Sequence, residues 1–302
     1  MSTVDDPEIQ EVAAFIQAAD PAGTRFARVF RETIDQLYDG QRTGRYRWDQ
    51  LLKTEKTHCG TLVEINLQRE FQFDDGKTMD FLINEVEVDC KYSQTHGSWM
   101  IPPEAIGHLC LLTWAEDSSD PKWSVGLVRV TNEILTLGGN RDRKRSISKA
   151  GRESIYWLWD HHPFPGNVLL ESDQSVVAQI FQPKSGTERI NRLFRLIQER
   201  IISRNVVATV NQGKDYMKRV RGNGGARTFL KTEGILILGQ FQSHVKVAHA
   251  LGLPEPKDGD SISVRVVPAN GPGPGIANIA GKFWRKAHPT DPVVQAPDLP
   301  VK

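Results

Sequence analysis

The sequence predicts a mixed α/β (α+β) protein of two domains, and three observations carry that prediction. The chain has 302 residues, where a domain usually takes about 100–200. Apolar residues recur at helical spacing in some stretches and alternate at strand spacing in others. The formal net charge of +1 conceals a division. Residues 1–160 hold 19 basic and 26 acidic side chains, whereas 161–302 hold 19 and 11. The segment 184–231 alone carries 12 basic against 3 acidic. Such asymmetry points to an acidic module joined to one that attracts polyanions. Hydrophobic residues make up 39% and charged residues 25%, which suits a packed core rather than a disordered chain.

No apolar run reaches the ~18 residues of a spanning helix. The acidic start MSTVDDPEIQ has no apolar signal region. Cys59, Cys90 and Cys110 are an odd number with no CxxC pair. That argues against a disulfide framework or a zinc site and fits a reduced cytoplasm with no membrane partner.

Taken in order, Asp6-Pro7-Glu8 reads as a cap, a first-position proline and an acidic first turn. A helix follows with Ile9, Val12, Ala13 and Ile16 inward, stopped by Asp20-Pro21. Phe26, Val29, Phe30, Ile34, Leu37 and Tyr38 define a second helix, ended by Asp39-Gly40. Residues 40–60 are dense in Arg and Lys around Tyr46 and Trp48, and read as a phosphate-contacting loop or a solvated connector. Residues 61–73 alternate, with Val63, Ile65 and Leu67 on one side, and are expected to be a strand. Asp74-Asp75-Gly76 is a turn and 79–92 a returning strand. Residues 109–115 and 123–130 form another strand pair, and 147–159 are expected to be helical. DHHPFPGN (160–167) reads as a linker. The expected domains are therefore 1–160 and 171–302, joined through 161–170.

The second half opens on an expected basic helix at about 187–203, then short helices at 206–210 and 215–220. A glycine turn at 222–225 leads to strands within 228–239 and at 261–267. Helices followed by a β-ribbon are the order of a winged helix-turn-helix. From Pro268 onward the chain reads as an extended, poorly packed tail.

The informative segment is MDFLINEVEVDCKY (79–92). On a strand, Val86, Val88, Cys90 and Tyr92 share one face, while Glu85, Glu87, Asp89 and Lys91 share the other. Three carboxylates and a lysine on one face call for a counter-charge, which a divalent cation would supply. An acid two residues before a lysine occurs five times, at 75/77, 89/91, 120/122, 142/144 and 255/257. Only Asp89-Cys90-Lys91 lies in an alternating strand, with Asp80 upstream and Glu64 on the preceding strand. This is the metal-nuclease arrangement written PD-(D/E)xK. Asp80 and Asp89 would hold Mg²⁺, with Glu64 completing the ligand set. Lys91 would orient the attacking water and offset developing charge on the phosphate. His161-His162, by contrast, falls in the Pro-rich linker with no partner at metal spacing, and reads as a solvent-exposed pair.

The segments LYDGQRTGRYRWDQL, KTEKTHCGTLVEINLQREFQFDDG, VEVDCKYS, PPEAIGHLCLLTWAED and WSVGLVRV resemble the NaeI family of type II restriction endonucleases, from about residue 10 to about 267. The resemblance implies a PD-(D/E)xK-type catalytic core followed by a winged-helix DNA-binding domain like that of the catabolite activator protein. It implies a Mg²⁺-dependent homodimer in a bacterial cytoplasm that binds two duplexes at a short palindrome, one cleaved and one an allosteric effector. The site would be NaeI-like, GCCGGC, and a cognate DNA methyltransferase would accompany the enzyme genetically. The family's catalytic acids and lysine fall on Glu64, Asp80, Asp89 and Lys91. The chain departs from the plain motif in having Met79, not proline, before Asp80. Base-reading residues are fixed by no motif. Expected backbone contacts are Arg42, Arg45, Lys53, Lys56, Arg141, Arg143 and Lys144 in the first half. In the second half they are Lys214, Lys218, Arg219, Arg221 and Arg227. The competing readings are a non-catalytic winged-helix regulator, which would have no need of the Glu64, Asp80, Asp89 and Lys91 set, and a repair enzyme that uses the same core to nick a single strand.

Overall fold

A computed structural model of the chain describes residues 6–221 and 224–300. The first five residues, and half of the expected glycine turn at 222–225, lie outside the described residues. The chain divides into two compact units: 1–37 with 47–166, and 38–46 with 167–302.

In the first unit, α1 (Pro7–Ala19) begins as its cap dictates. Asp6 accepts from the amides of Glu8 and Ile9 at 3.1 and 3.3 Å, and Ile9, Val12, Ala13 and Ile16 are buried. The carboxylate of Asp20 then accepts from the amides of Arg25 and Phe26 at 2.8 and 3.1 Å, organising the start of α2 (Thr24–Tyr38). One further helical turn, α3 (Gly40–Thr43), belongs to the second unit.

The expected strand at 61–73 is instead the C-terminal part of a long helix, α4 (Lys53–Phe71). Its buried residues are Cys59, Val63, Leu67 and Phe71. Their spacing of four suits either period, but a strand would bury Ile65 on the same face, and in the helix Ile65 is turned aside and only half-buried. Residues 53–60 of the basic 40–60 region are therefore the start of this helix.

The sheet of this unit comprises β1 (Asp74–Asp75), β2 (Phe81–Ile83), β3 (Val86–Ser93), β5 (Leu109–Glu116), β6 (Lys122–Arg129) and β8 (Tyr156–Pro163), in the order β1-β2-β3-β5-β6-β8. β3 and β5 run parallel and every other pair is antiparallel. A separate two-stranded ladder joins β4 (Met100–Ile101) to β7 (Arg145–Ser146). Where α2 and α4 meet the sheet, Phe26 lies among Phe71, Trp123 and Trp159. Side chains on the other face, Cys110, Leu112, Trp114 and Val128, pack with Trp99, Ile101 and Ile147.

Two expectations for this unit are corrected. Residues 147–159 are not a helix: a short 3₁₀ turn at Gly151–Ser154 leads into β8, which pairs with β6. The linker is also narrower than 161–170, because 161–163 still belong to β8 and the units divide after Gly166. Proline and glycine at the end of that strand mimic a connector in sequence.

The second unit contains α5 (Val168–Glu171), α6 (Gln174–Phe181), α7 (Gly186–Leu196), α8 (Arg204–Asn211), α9 (Tyr216–Val220) and α10 (Ala226–Lys231). β9 (Ile235–Gly239), α11 (Gln242–Ala250), β10 (Ser261–Pro268), β11 (Ile276–Ile279) and β12 (Lys282–Lys286) complete it. The strands form an antiparallel sheet in the order β11-β12-β10-β9. The helices share a core of Ile190, Leu193, Phe194, Val207 and Leu230. Gly40 of α3 lies where a Cβ would collide with Thr209 of α8, so only glycine permits that approach.

The expected basic helix at 187–203 stops at Leu196, and Ile202 instead bridges to Ser261. Residues 228–231, expected within a strand region, belong instead to α10. The tail beyond Pro268 is not loose. Ala280 and Gly281, with φ of 50° and 78°, make a two-residue turn between β11 and β12. Among the described residues, no helix is long and apolar enough to cross a membrane.

Candidate active site

Asp80, Asp89 and Lys91 come together because the expected strand at 79–92 is really a hairpin. Nine residues along one strand would separate Asp80 from Asp89 by about 30 Å. Instead Asn84 and Glu85, at φ 49° and 66°, form a tight turn, and Phe81 pairs with Val88. Asp80 therefore stands next to β3. Its Oδ2 accepts from the Cys90 amide at 2.7 Å and from Lys91 Nζ at 3.3 Å. Lys91 Nζ also donates to Asp89 Oδ1 at 2.6 Å and to the Cys90 carbonyl at 2.9 Å.

Asp89 is only 5% exposed. Burial pushes its carboxyl up to about 6, against the pull of Lys91. Burial alone would push Lys91 down, but Asp89 and Asp80 beside it outweigh that and hold the ammonium above the ordinary lysine value. Glu64 comes to this group from α4, which packs against β3, and not from a strand. Its carboxyl is raised by burial first and then by Asp80 and Asp89, with Lys91 opposing. Three carboxyl groups and one ammonium thus share a partly desolvated edge of the sheet.

The expected face of Glu85, Glu87, Asp89 and Lys91 is broken up. Glu85 is in the turn. Glu87 caps the loop before Asp80, accepting from the amides of Lys77, Thr78 and Met79 at 2.7, 3.1 and 2.8 Å. Those bonds hold its carboxyl down to about 2, the Met79 amide contributing most. Cys110 is a second supporting group missed in the sequence: its thiol lies 3.6 Å from Asp89 Oδ2. The parallel pairing of Asp89 with Cys110 puts it there, and no local spacing encodes that.

The expected DNA-contacting residues are dispersed. Lys53 and Lys56 lie on the first turn of α4. Arg141, Arg143 and Lys144 occupy the turn before β7, where Arg143 has φ 60°. Arg42 and Arg45 belong to the second unit, where Arg42 pairs with Asp39 at 3.2 Å and Arg45 Nε donates to the Tyr38 carbonyl at 3.2 Å. Lys218 and Arg219 sit on α9, Arg221 at its end, and Lys214 just before it. Lys184, Arg189, Lys214 and Arg219 line one concavity of about 320 Å³. Arg227 is turned inward, donating to the Ile237 carbonyl at 3.0 Å.

The Restriction endonuclease NaeI family matches residues 10–295 of this chain. The type II restriction enzyme NaeI of Lentzea aerocolonigenes is 50% identical over 305 residues, spanning 98% of this chain and 96% of that protein. With a mixed α/β fold, these matches define a type II restriction endonuclease. The chain belongs to the NaeI family.

Proposed function

We propose that the chain is a Mg²⁺-dependent, site-specific deoxyribonuclease that hydrolyses both strands of DNA at a short palindrome. The observation that carries the catalytic reading is the convergence of Glu64, Asp80, Asp89 and Lys91 from a helix, a hairpin edge and a strand. The donor set fits a hard cation: it gathers carboxylate oxygens of Glu64, Asp80 and Asp89 around a single ammonium. Asp80 and Asp89 would hold Mg²⁺, with Glu64 completing the set directly or through water. Such a cation would supply positive charge to polarise the scissile phosphate and to acidify a water beside it. Lys91, kept protonated by its neighbours, orients that water and offsets the charge developing on the phosphate. The Glu87-capped loop and the β2–β3 turn keep Asp80 at this edge without taking part in the reaction.

The second unit is proposed to be the winged-helix domain that binds an effector duplex. The concavity bordered by Lys184, Arg189, Lys214 and Arg219 supports a phosphate-gripping role. The active species would be a homodimer with a NaeI-like GCCGGC site, encoded beside a cognate methyltransferase.

The test is cleavage of unmethylated phage DNA in Mg²⁺, with sequencing of the fragment ends. Wild type should leave 5′-phosphate and 3′-hydroxyl termini at one recurring sequence. Asp89→Ala and Lys91→Ala should lower cleavage at least about a thousandfold while DNA binding by gel shift persists. Wild-type cleavage by either variant would remove the site assignment.

A further inference from the structure

Beyond Lys91, β3 ends at Ser93 and the chain turns through His96. There it meets the end of β8. Asp160 Oδ1 lies 2.8 Å from His161 Nδ1 and 3.4 Å from His96 Nε2. One ligand atom from each of the three residues falls within 4.8 Å of the other two. The expectation that His161 is an unpartnered linker residue is therefore overturned.

The arrangement is built rather than incidental. Ser124 of β6 is fully buried, and its Oγ donates to Asp160 Oδ1 at 2.9 Å while accepting the His161 amide at 2.9 Å. This clamp holds His161 in the left-handed region at φ 52°, which costs a non-glycine residue backbone energy. The His96 ring is packed among Trp99, Trp114 and Trp157 at centroid distances of 5.5, 4.9 and 5.4 Å.

Two imidazoles with centroids 4.4 Å apart face one carboxylate oxygen.

We propose that His96, Asp160 and His161 bind one divalent transition-metal ion of the zinc class, with a further coordination position open to solvent. Two histidines and one carboxylate are the ligand set of open zinc sites, with bonds of about 2.0–2.2 Å. Ser124 holds the carboxylate from outside the ligand set, as such sites require. The Asp160 and His161 side chains are 42% and 48% exposed, which leaves an entry path. Bound metal would pin the turn after β3 to the end of β8, beyond the two hydrogen-bonded strands that separate them in the sheet.

The test uses the full chain, stripped of metal by chelation, in an Asp89→Ala background so that the carboxylate–lysine cluster does not bind the probe. Co²⁺ should bind with one equivalent, give the intense visible bands of a four-coordinate ion and quench tryptophan fluorescence, and Zn²⁺ should displace it. His161→Asn tolerates the left-handed backbone, and His96→Gln keeps a polar side chain. Each should weaken Co²⁺ and Zn²⁺ binding at least about tenfold with an unchanged circular dichroism spectrum. Should one variant fail to fold, the other decides. Stoichiometric binding of equal strength in the parent and the variant would overturn the proposal, as would the absence of one-equivalent binding in the parent.

Discussion

Glu87 illustrates how a single carboxylate can be essential to a site it does not enter. It gathers three backbone amides and the Thr78 hydroxyl, so the loop leading to Asp80 has its donors satisfied by one side chain. Its carboxyl is held down to about 2 against an ordinary 4.5. The sign follows: a depressed carboxylate contributes stability above about pH 4.5, and that contribution is lost as pH falls toward 2. Glu87→Gln should therefore lower the urea midpoint at pH 7, and the gap from wild type should close as the pH is lowered through this window. A gap independent of pH would mean that the charge is not what closes the loop. Glu87 resembles a cation ligand in the sequence because strand alternation puts it on the face of Asp89. Its actual partners are amides eight to ten residues upstream, which no periodicity reveals.

At the scale of elements, the β2–β3 turn decides whether there is a site. Glu85 is held at φ 66°, a conformation that suits glycine better. Glu85→Gly would create the Asn-Gly pair favoured in such turns. It should raise stability by up to about 1 kcal/mol, read as a higher melting temperature, with cleavage retained. Helix α4 makes the opposite point, since it buries Leu67 completely. Leu67→Ala should cost about 2–5 kcal/mol in urea unfolding, and an unchanged midpoint would mean that this face of the helix is not packed against the sheet. The two helices before residue 39 are legible in the sequence because their apolar spacing fits one period, and the strands at 109–116, 122–129 and 261–268 because they are short, mainly apolar runs that the fold buries almost throughout. Residues 61–73 and 147–159 mislead because short windows there fit both periods or neither. Asp89 and Lys91 are legible as neighbours on one strand. The approach of Glu64 from a helix, and of His96 to His161, depends on packing between distant segments.

For the whole molecule, the charge division acquires a different meaning once partners are counted. Much of the basic excess in 184–231 is engaged internally. Arg195 pairs with Glu233 at 2.7 Å, Arg192 binds the Gln179 carbonyl at 2.8 Å, Arg200 meets Glu171 and Lys231 meets Asp298. Lys214, Lys218 and Arg219 are exposed around α9, where Lys218 makes only a solvent-facing pair with Asp215 at 3.7 Å. Replacing these three with alanine in the full chain should flatten the dependence of DNA affinity on salt, by about 0.9 in logarithmic slope for each phosphate no longer neutralised. Replacing Arg195 should alter stability more than that slope. An unchanged slope in the triple variant would move the duplex-binding surface elsewhere. The segment 38–46 adds a constraint of another kind, because it is made early yet belongs to the unit completed by residues 167–302. During synthesis it emerges from the ribosome long before α8 exists to receive it. The second unit therefore cannot close until the chain is nearly finished, and any attempt to transplant it as one uninterrupted gene fragment would leave an integral piece behind.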